Sequence, residues 1–221
     1  MTTPDVEAML IDLTADGHEI DKYWINQNRE LAPERLKHIP VHFADAIASD
    51  SGVADWVREV IAKACATARA FNPRVKIGPS LMLFGPVGTG KTYQAFGAIR
   101  TIALSGVSLG WELIAAADLF GQMRPRERSN PEDVFERYAT TGLLVLDDLG
   151  ASKGSEWTEE VLYRLINHRY QHEAPTVITT NLEPPQLREA VGDRVASRLR
   201  EMSYQVVLKG GDRRRALRTV S

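Results

Sequence analysis

The octet Gly85-Pro86-Val87-Gly88-Thr89-Gly90-Lys91-Thr92 places a glycine, four free positions and then Gly-Lys-Thr in a row, and each fixed type has a task at a polyphosphate. Glycines let the backbone wrap so that its N–H groups converge on anionic oxygens, and a helix opening near Gly90 adds its positive end. Lys91 neutralises β- and γ-phosphates, and Thr92 offers its hydroxyl to Mg²⁺.

A second group of candidates is Leu143-Leu144-Val145-Leu146-Asp147-Asp148, an apolar run ending in two carboxylates. By itself the pattern is weak, because strand exits favour Asp for turn reasons. Beside the glycine loop, Asp147 reads as the Mg²⁺ holder and Asp148 as the general base or water-orienting group. Val177-Ile178-Thr179-Thr180-Asn181 ends in an amide at the same edge. Asn181 suits orientation of a water and sensing of a γ-phosphate, and equally suits a turn before Glu183-Pro184-Pro185. Further on, Arg194 and Arg198 share one side of a helix. They fit either a solvated face or an arginine finger, which stabilises a neighbour's transferring phosphoryl group and accelerates hydrolysis by about 10³–10⁵.

The elements that must position these residues follow from hydrophobic period. Short apolar runs bounded by turn residues stand at Leu81–Phe84, Val107–Trp111, Leu143–Leu146, Val177–Thr180 and Tyr204–Leu208, with helical patterns between them. This alternation predicts an α/β fold with a five-stranded, mainly parallel sheet covered on both faces. The three strand-end signals then fall at the carboxyl edge, where ligands of such sheets gather. Val53, Trp56, Val57, Val60, Ile61, Ala64 and Ala68 predict a preceding helix with one buried stripe. The stretch Pro33 to Pro40 reads as a break, so residues 1–35 are expected to be a short helical appendage that binds a partner, and 36–221 the catalytic domain. Apolar residues in the appendage suit one or two amphipathic helices but are too few for an independent core.

Composition narrows the classes. With 27 Lys and Arg against 29 Asp and Glu and 43% hydrophobic residues, the chain reads as a globular protein without a surface that is basic throughout. The longest charge-free run, Ile77 to Gly90, contains Pro79 and Pro86 and several glycines, so no membrane span is expected. One Cys and an N-terminus without a basic start or apolar core point to the cytoplasm. Charge is uneven: the first 21 residues hold acids and no Lys or Arg, whereas Lys209, Arg213, Arg214, Arg215 and Arg218 cluster at the other end. Such runs signify a partner or solvation.

Taken in order, these motifs resemble the AAA+ ATPases, and within them the DnaC/DnaI-type helicase loaders together with the related IstB-type transposition helper ATPases. The residues carrying the resemblance are Ile39-Pro40-Val41-His42-Phe43, the Gly85–Thr92 loop, Ala116-Ala117-Asp118-Leu119 and Leu144 to Gly150. To these add Thr179-Thr180-Asn181, Gly192-Asp193-Arg194-Val195 with Ser197-Arg198-Leu199, and Leu208 to Arg213. The resemblance implies a three-layer P-loop NTPase, ATP and Mg²⁺ as cofactors, Asn181 as first sensor, and a finger at Arg194 or Arg198. It further implies self-association into a ring or spiral with ATP between neighbours, assembly on single-stranded DNA, and loading of a hexameric replicative DNA helicase. Two departures stand out. Asp148 occupies a position where many AAA+ members have Glu, and no helical lid is expected after Leu208, with Arg213 or Arg214 as the substitutes for a lid-borne sensor.

Arg124, Arg126 and Arg128 lie in one loop and are the candidates for DNA contact, with Phe120 or Tyr138 as base-stacking partners. An exposed basic loop with both aromatics in the core fits the same residues. His168 and His172 have metal-ligand spacing but no obvious third ligand, and Trp157, Val161, Leu165 and Ile166 read as the buried face of their helix. Beside the loader stand a transposition helper, a nucleotide-gated module with little turnover, and a small-molecule P-loop kinase. The helix bearing Arg194 and Arg198 after Asn181 disfavours the kinase.

Overall fold

The computed structural model describes residues 22–68, 71–125, 130–151 and 154–211. Arg126, Arg128, Arg213 and Arg214 lie outside the described residues, as do the first 21. Two compact units emerge, one from the residues up to Gly78 together with Tyr93–Gly110, the other from Pro79–Thr92 and Trp111 onward.

In the first unit, helix α1 (Lys22–Leu36) buries Ile25, Asn28 and Ala32. The chain does not break at Pro33, which lies inside this helix. A proline near the end of a helix forfeits one backbone bond, and here the burial of the preceding face offsets that loss. Asn28 donates to Asn72 Oδ1 at 2.8 Å and to the Gly106 carbonyl at 2.9 Å, so a polar side chain fixes the helix where only apolar contacts were expected. Helix α2 (Ser51–Ala68) buries Val53, Trp56, Val57, Val60, Ile61 and Ala64 of the stripe read from the sequence, and leaves Ala68, its last residue, half-buried. Helix α3 (Lys91–Leu104) starts at the glycine loop, and its residues from Tyr93 onward belong to this unit.

The second unit is built on five strands: β1 (Ser80–Phe84), β2 (Trp111–Ala115), β3 (Leu143–Asp147), β4 (Thr176–Thr180) and β5 (Ser203–Val207). They form one sheet in the order β2-β3-β4-β1-β5, and every pairing is parallel. The α/β expectation holds, with a sheet that is wholly parallel. Helices α4 (Ala116–Met123), α5 (Pro131–Thr140), α6 (Glu156–Gln171), α7 (Pro184–Val191) and α8 (Asp193–Met202) complete the unit. Met82, Phe84, Ile114, Leu144, Leu146 and Ile178 from alternate strand positions pack with Leu119, Phe135, Leu162, Ile166 and Leu199 of the helices into one core. Local signals start the helices where they are needed. Asn130 caps α5 through Glu132 N at 3.0 Å with Pro131 following, and Ser155 and Thr158 form a reciprocal box at the start of α6.

The second strand departs from its predicted place. Val107 and Leu109 are buried, but Ser108 makes only an isolated bridge to Arg74, and the strand itself starts at Trp111. Glu112 obscured it in the sequence. At a sheet edge a charged residue is tolerated, and Arg137 engages both Glu112 oxygens, at 2.9 and 2.8 Å.

Arg169 of α6 is fully buried. Its guanidinium donates to the carbonyls of Tyr138 (2.9 Å), Ala139 (3.1 Å), Thr141 (3.0 Å) and Pro175 (2.7 Å) and to Thr176 Oγ1 (2.7 Å). Three of these carbonyls lie at the end of α5, where backbone acceptors lack helical partners and a cation is favoured. Burial pushes the guanidinium down, to about 9, which leaves it charged at neutral pH. No helix among the described residues is long and apolar enough to cross a membrane.

Candidate functional site

Sheet register brings the strand-end residues together. Phe84 pairs with Thr180 and Ala115 with Asp147, so the residues that follow each strand leave at one edge. Residues 85–90 turn from β1 into α3, with positive φ at Gly85 (146°), Gly88 (85°) and Gly90 (98°). Gly85 admits no side chain, because a Cβ there would stand 2.5 Å from the Leu208 carbonyl. Leu208, just past β5, also donates its N–H to Phe84 O at 2.8 Å.

Lys91 is 6% exposed and its ammonium donates to Gly85 O (2.8 Å), Pro86 O (3.0 Å) and Asn181 Oδ1 (2.6 Å). The loop, its lysine and the amide at the end of β4 thus form one bonded group. Next to Lys91 in the chain, Thr92 Oγ1 lies 3.2 Å from both carboxylate oxygens of Asp147. Hydroxyl and carboxylate together present hard oxygen donors, which is the chemistry Mg²⁺ takes. Burial raises the Asp147 carboxyl above the usual carboxylate range, and the charge of Asp148 adds to this, against hydrogen bonds from Thr179 and Thr92 and the charge of Lys91.

Thr179 is the residue that sequence reasoning missed. Its hydroxyl donates to Asp147 Oδ1 at 2.5 Å and accepts from Asp148 N at 2.9 Å, fixing the Asp147 carboxylate and the Asp148 backbone from the neighbouring strand. Its place in Thr179-Thr180-Asn181 was the available signal. Asp148 follows with φ of 53° and an exposed side chain, a conformation that Asp tolerates better than most residues.

The arginines form separate groups. Arg194 and Arg198 share α8 and both guanidiniums lie over the Tyr163 ring of α6, at 4.0 and 4.8 Å from its centroid. Arg124, just after α4, stands 5.5 Å over the Trp157 ring, and Phe120 meets that ring edge-on. Trp157 is half-buried, not a full core residue. Tyr138 is unsuited to stacking a base, since it is 3% exposed and its hydroxyl bonds Gln122 at 3.2 Å. His168 and His172 stack on each other at 4.2 Å, and no metal-holding cluster of His, Cys, Asp or Glu exists among the described residues.

Comparison with known proteins matches this geometry to a family. The profile of the IstB-like ATP binding proteins covers residues 74–209. The replicative helicase loader DnaC of Escherichia coli strain K12 is 26% identical over 124 residues, 55% of this chain and 50% of that protein. The ATP-binding protein of insertion sequence IS5376 from Geobacillus stearothermophilus is 30% identical over 122 residues, 52% of this chain and 45% of that one. The chain therefore spans about half the length of the curated relatives it matches. Among solved structures, a crystal structure of the DnaC helicase loader superposes with a TM-score of 0.60 at 23% identity, covering 77% of this chain and all of that one. At that identity the likeness speaks for the fold. With the family profile spanning more than half of the residues, this chain belongs to the IstB-like ATP-binding proteins of the AAA+ P-loop fold.

Proposed function

We propose that the chain is an ATP-hydrolysing helicase loader that assembles on single-stranded DNA and delivers a hexameric replicative DNA helicase. The two bonded pairs Lys91–Asn181 and Thr92–Asp147 carry the ATPase part of this reading, and the likeness to DnaC supports the loader part. Residues 85–90 direct backbone N–H groups at the polyphosphate, and Lys91 turns its ammonium from loop carbonyls and Asn181 to the β- and γ-phosphates. Thr92 and Asp147 hold Mg²⁺, which supplies charge neutralisation at the transferring phosphoryl group. Asp148 activates the attacking water and Asn181 orients it, while Thr179 keeps Asp147 and the Asp148 backbone in register. Subunits associate as a ring or spiral, with ATP between neighbours and an arginine of α8 reaching across. Arg124, Arg126 and Arg128 contact the DNA backbone, and residues 1–35 contact the helicase. Residues 36–221 are the ATPase domain, and its place of work is the cytoplasm.

Affinity capture with ATP, comparing the full chain with a variant that lacks residues 1–21 and keeps the packed helix α1, tests the partner. Recovery of a replicative helicase that vanishes with the truncation is expected. The second reading, a transposition helper, is favoured by the 30% identity to the insertion-sequence protein, and recovery of a transposase would establish it instead. Single-turnover hydrolysis with and without single-stranded DNA separates both from a binding module that does not turn over.

A further inference from the structure

Two cations share one aromatic ring in this fold, and their surroundings differ. Arg198 is half-buried and its donors are engaged within the chain: Nε with Asn167 Oδ1 at 2.9 Å and Nη2 with the Tyr163 hydroxyl at 3.2 Å. It also lies 5.7 Å from the Tyr170 ring, whose hydroxyl is tied to Glu201 at 2.7 Å. Arg194 is exposed, and its guanidinium rests 4.0 Å above the Tyr163 ring. Among the described residues, neither guanidinium forms an ion pair with a carboxylate. Such a pair of like charges gains from the electron-rich ring face, and the outer member keeps its fork of donors for an external anion.

Geometry along the helix points the same way. Gly192, with φ of 81°, separates α7 from α8, and α8 then leads directly into the start of β5. The first turn of α8, with Arg194, is consequently its end toward the carboxyl edge of the sheet, and Arg198 lies one turn further away.

We infer that Tyr163 is a positioning residue which, with Arg198 as a fixed brace, holds the Arg194 guanidinium ready for a phosphate chain bound by a second copy of this protein. The inference rests on the proposed reading of ATP shared between subunits, and it assigns separate tasks to the two arginines. Held over a ring, the Arg194 side chain loses less rotamer freedom when the neighbour's phosphate arrives. A DNA phosphate presents the same chemistry to Arg194, so the test separates the two sources.

The experiment measures steady-state ATP hydrolysis by the full chain with oligo-dT, alone and in mixtures of variants. Arg194→Ala is expected to lose turnover and to regain it when mixed with Lys91→Ala, which lacks its own ATP site but carries an intact Arg194. Tyr163→Leu is expected to lower kcat on the order of tenfold with KM for ATP unchanged, and to be restored in trans by Lys91→Ala in the same way. Restoration in trans shows that the ATP site of the Tyr163→Leu subunit is folded. Tyr163→Phe keeps the ring and is expected to retain most turnover. Wild-type kcat in Tyr163→Leu, with Arg194→Ala inactive, overturns the positioning role alone. Restoration of Arg198→Ala but not of Arg194→Ala by the Lys91→Ala partner overturns the assignment of tasks. Loss of oligo-dT affinity in Arg194→Ala with turnover intact reassigns the charge to DNA. A wild-type chain that hydrolyses no ATP removes the underlying ATPase reading itself.

Discussion

Two nearly solvent-free cations, Lys91 and Arg169, hold backbone carbonyls in the same unit, one at the glycine loop and the other at the end of α5. They do so in different ways. Arg169 presents a planar fork whose hydrogen-bond acceptors come from two stretches of chain, at Tyr138 to Thr141 and at Pro175–Thr176. Lys91 is a point charge on a flexible stem that rests on two loop carbonyls and one amide oxygen. A rigid fork with fixed acceptors is architecture, whereas an ammonium resting on loop carbonyls can exchange its partners for an anion.

That contrast can be broken by substitution. Lys91→Ala should abolish ATP binding, measured by fluorescence of a labelled nucleotide, while thermal melting changes little; unchanged affinity would remove the phosphate-loop assignment. Arg169→Ala should cost about 3–5 kcal/mol in denaturant unfolding, because several buried carbonyls lose their donor together. Arg169→Lys keeps the charge but not the fork and should recover only part of that loss, about 1–2 kcal/mol; full recovery would show that charge alone matters there. Thr179→Val should cost about 1–3 kcal/mol and reduce turnover more than nucleotide affinity, since it loosens Asp147 without touching the loop.

Legibility in the sequence followed the range of the interactions. The glycine loop, Asp147 and the strand ends were readable because their constraint is local: a fixed spacing after an apolar run. The α/β sheet was readable for the same reason, through period alone. By contrast, β2 was misplaced by four residues because an edge strand accepts Glu112, a fact that depends on strand order. Asn28 and Arg169 are polar residues on buried faces whose partners lie far along the chain, at Asn72 and Gly106 for the first and Tyr138 to Thr141 for the second. In the structure Arg169 falls on the buried face with Leu162 and Ile166, yet nothing local announced the carbonyls that receive it. Tyr163 was invisible for the same reason, since its two arginines arrive from another helix.

The contact between Leu208 and the first residue of the glycine loop has a mechanical side. The chain leaves β5 with its carbonyl pressed where a Gly85 side chain would be and its N–H bonded to Phe84. There is no slack at this junction. A shift of the chain at Leu208 therefore has to move Phe84 or Gly85 with it, which couples the exit of β5 to the root of the loop.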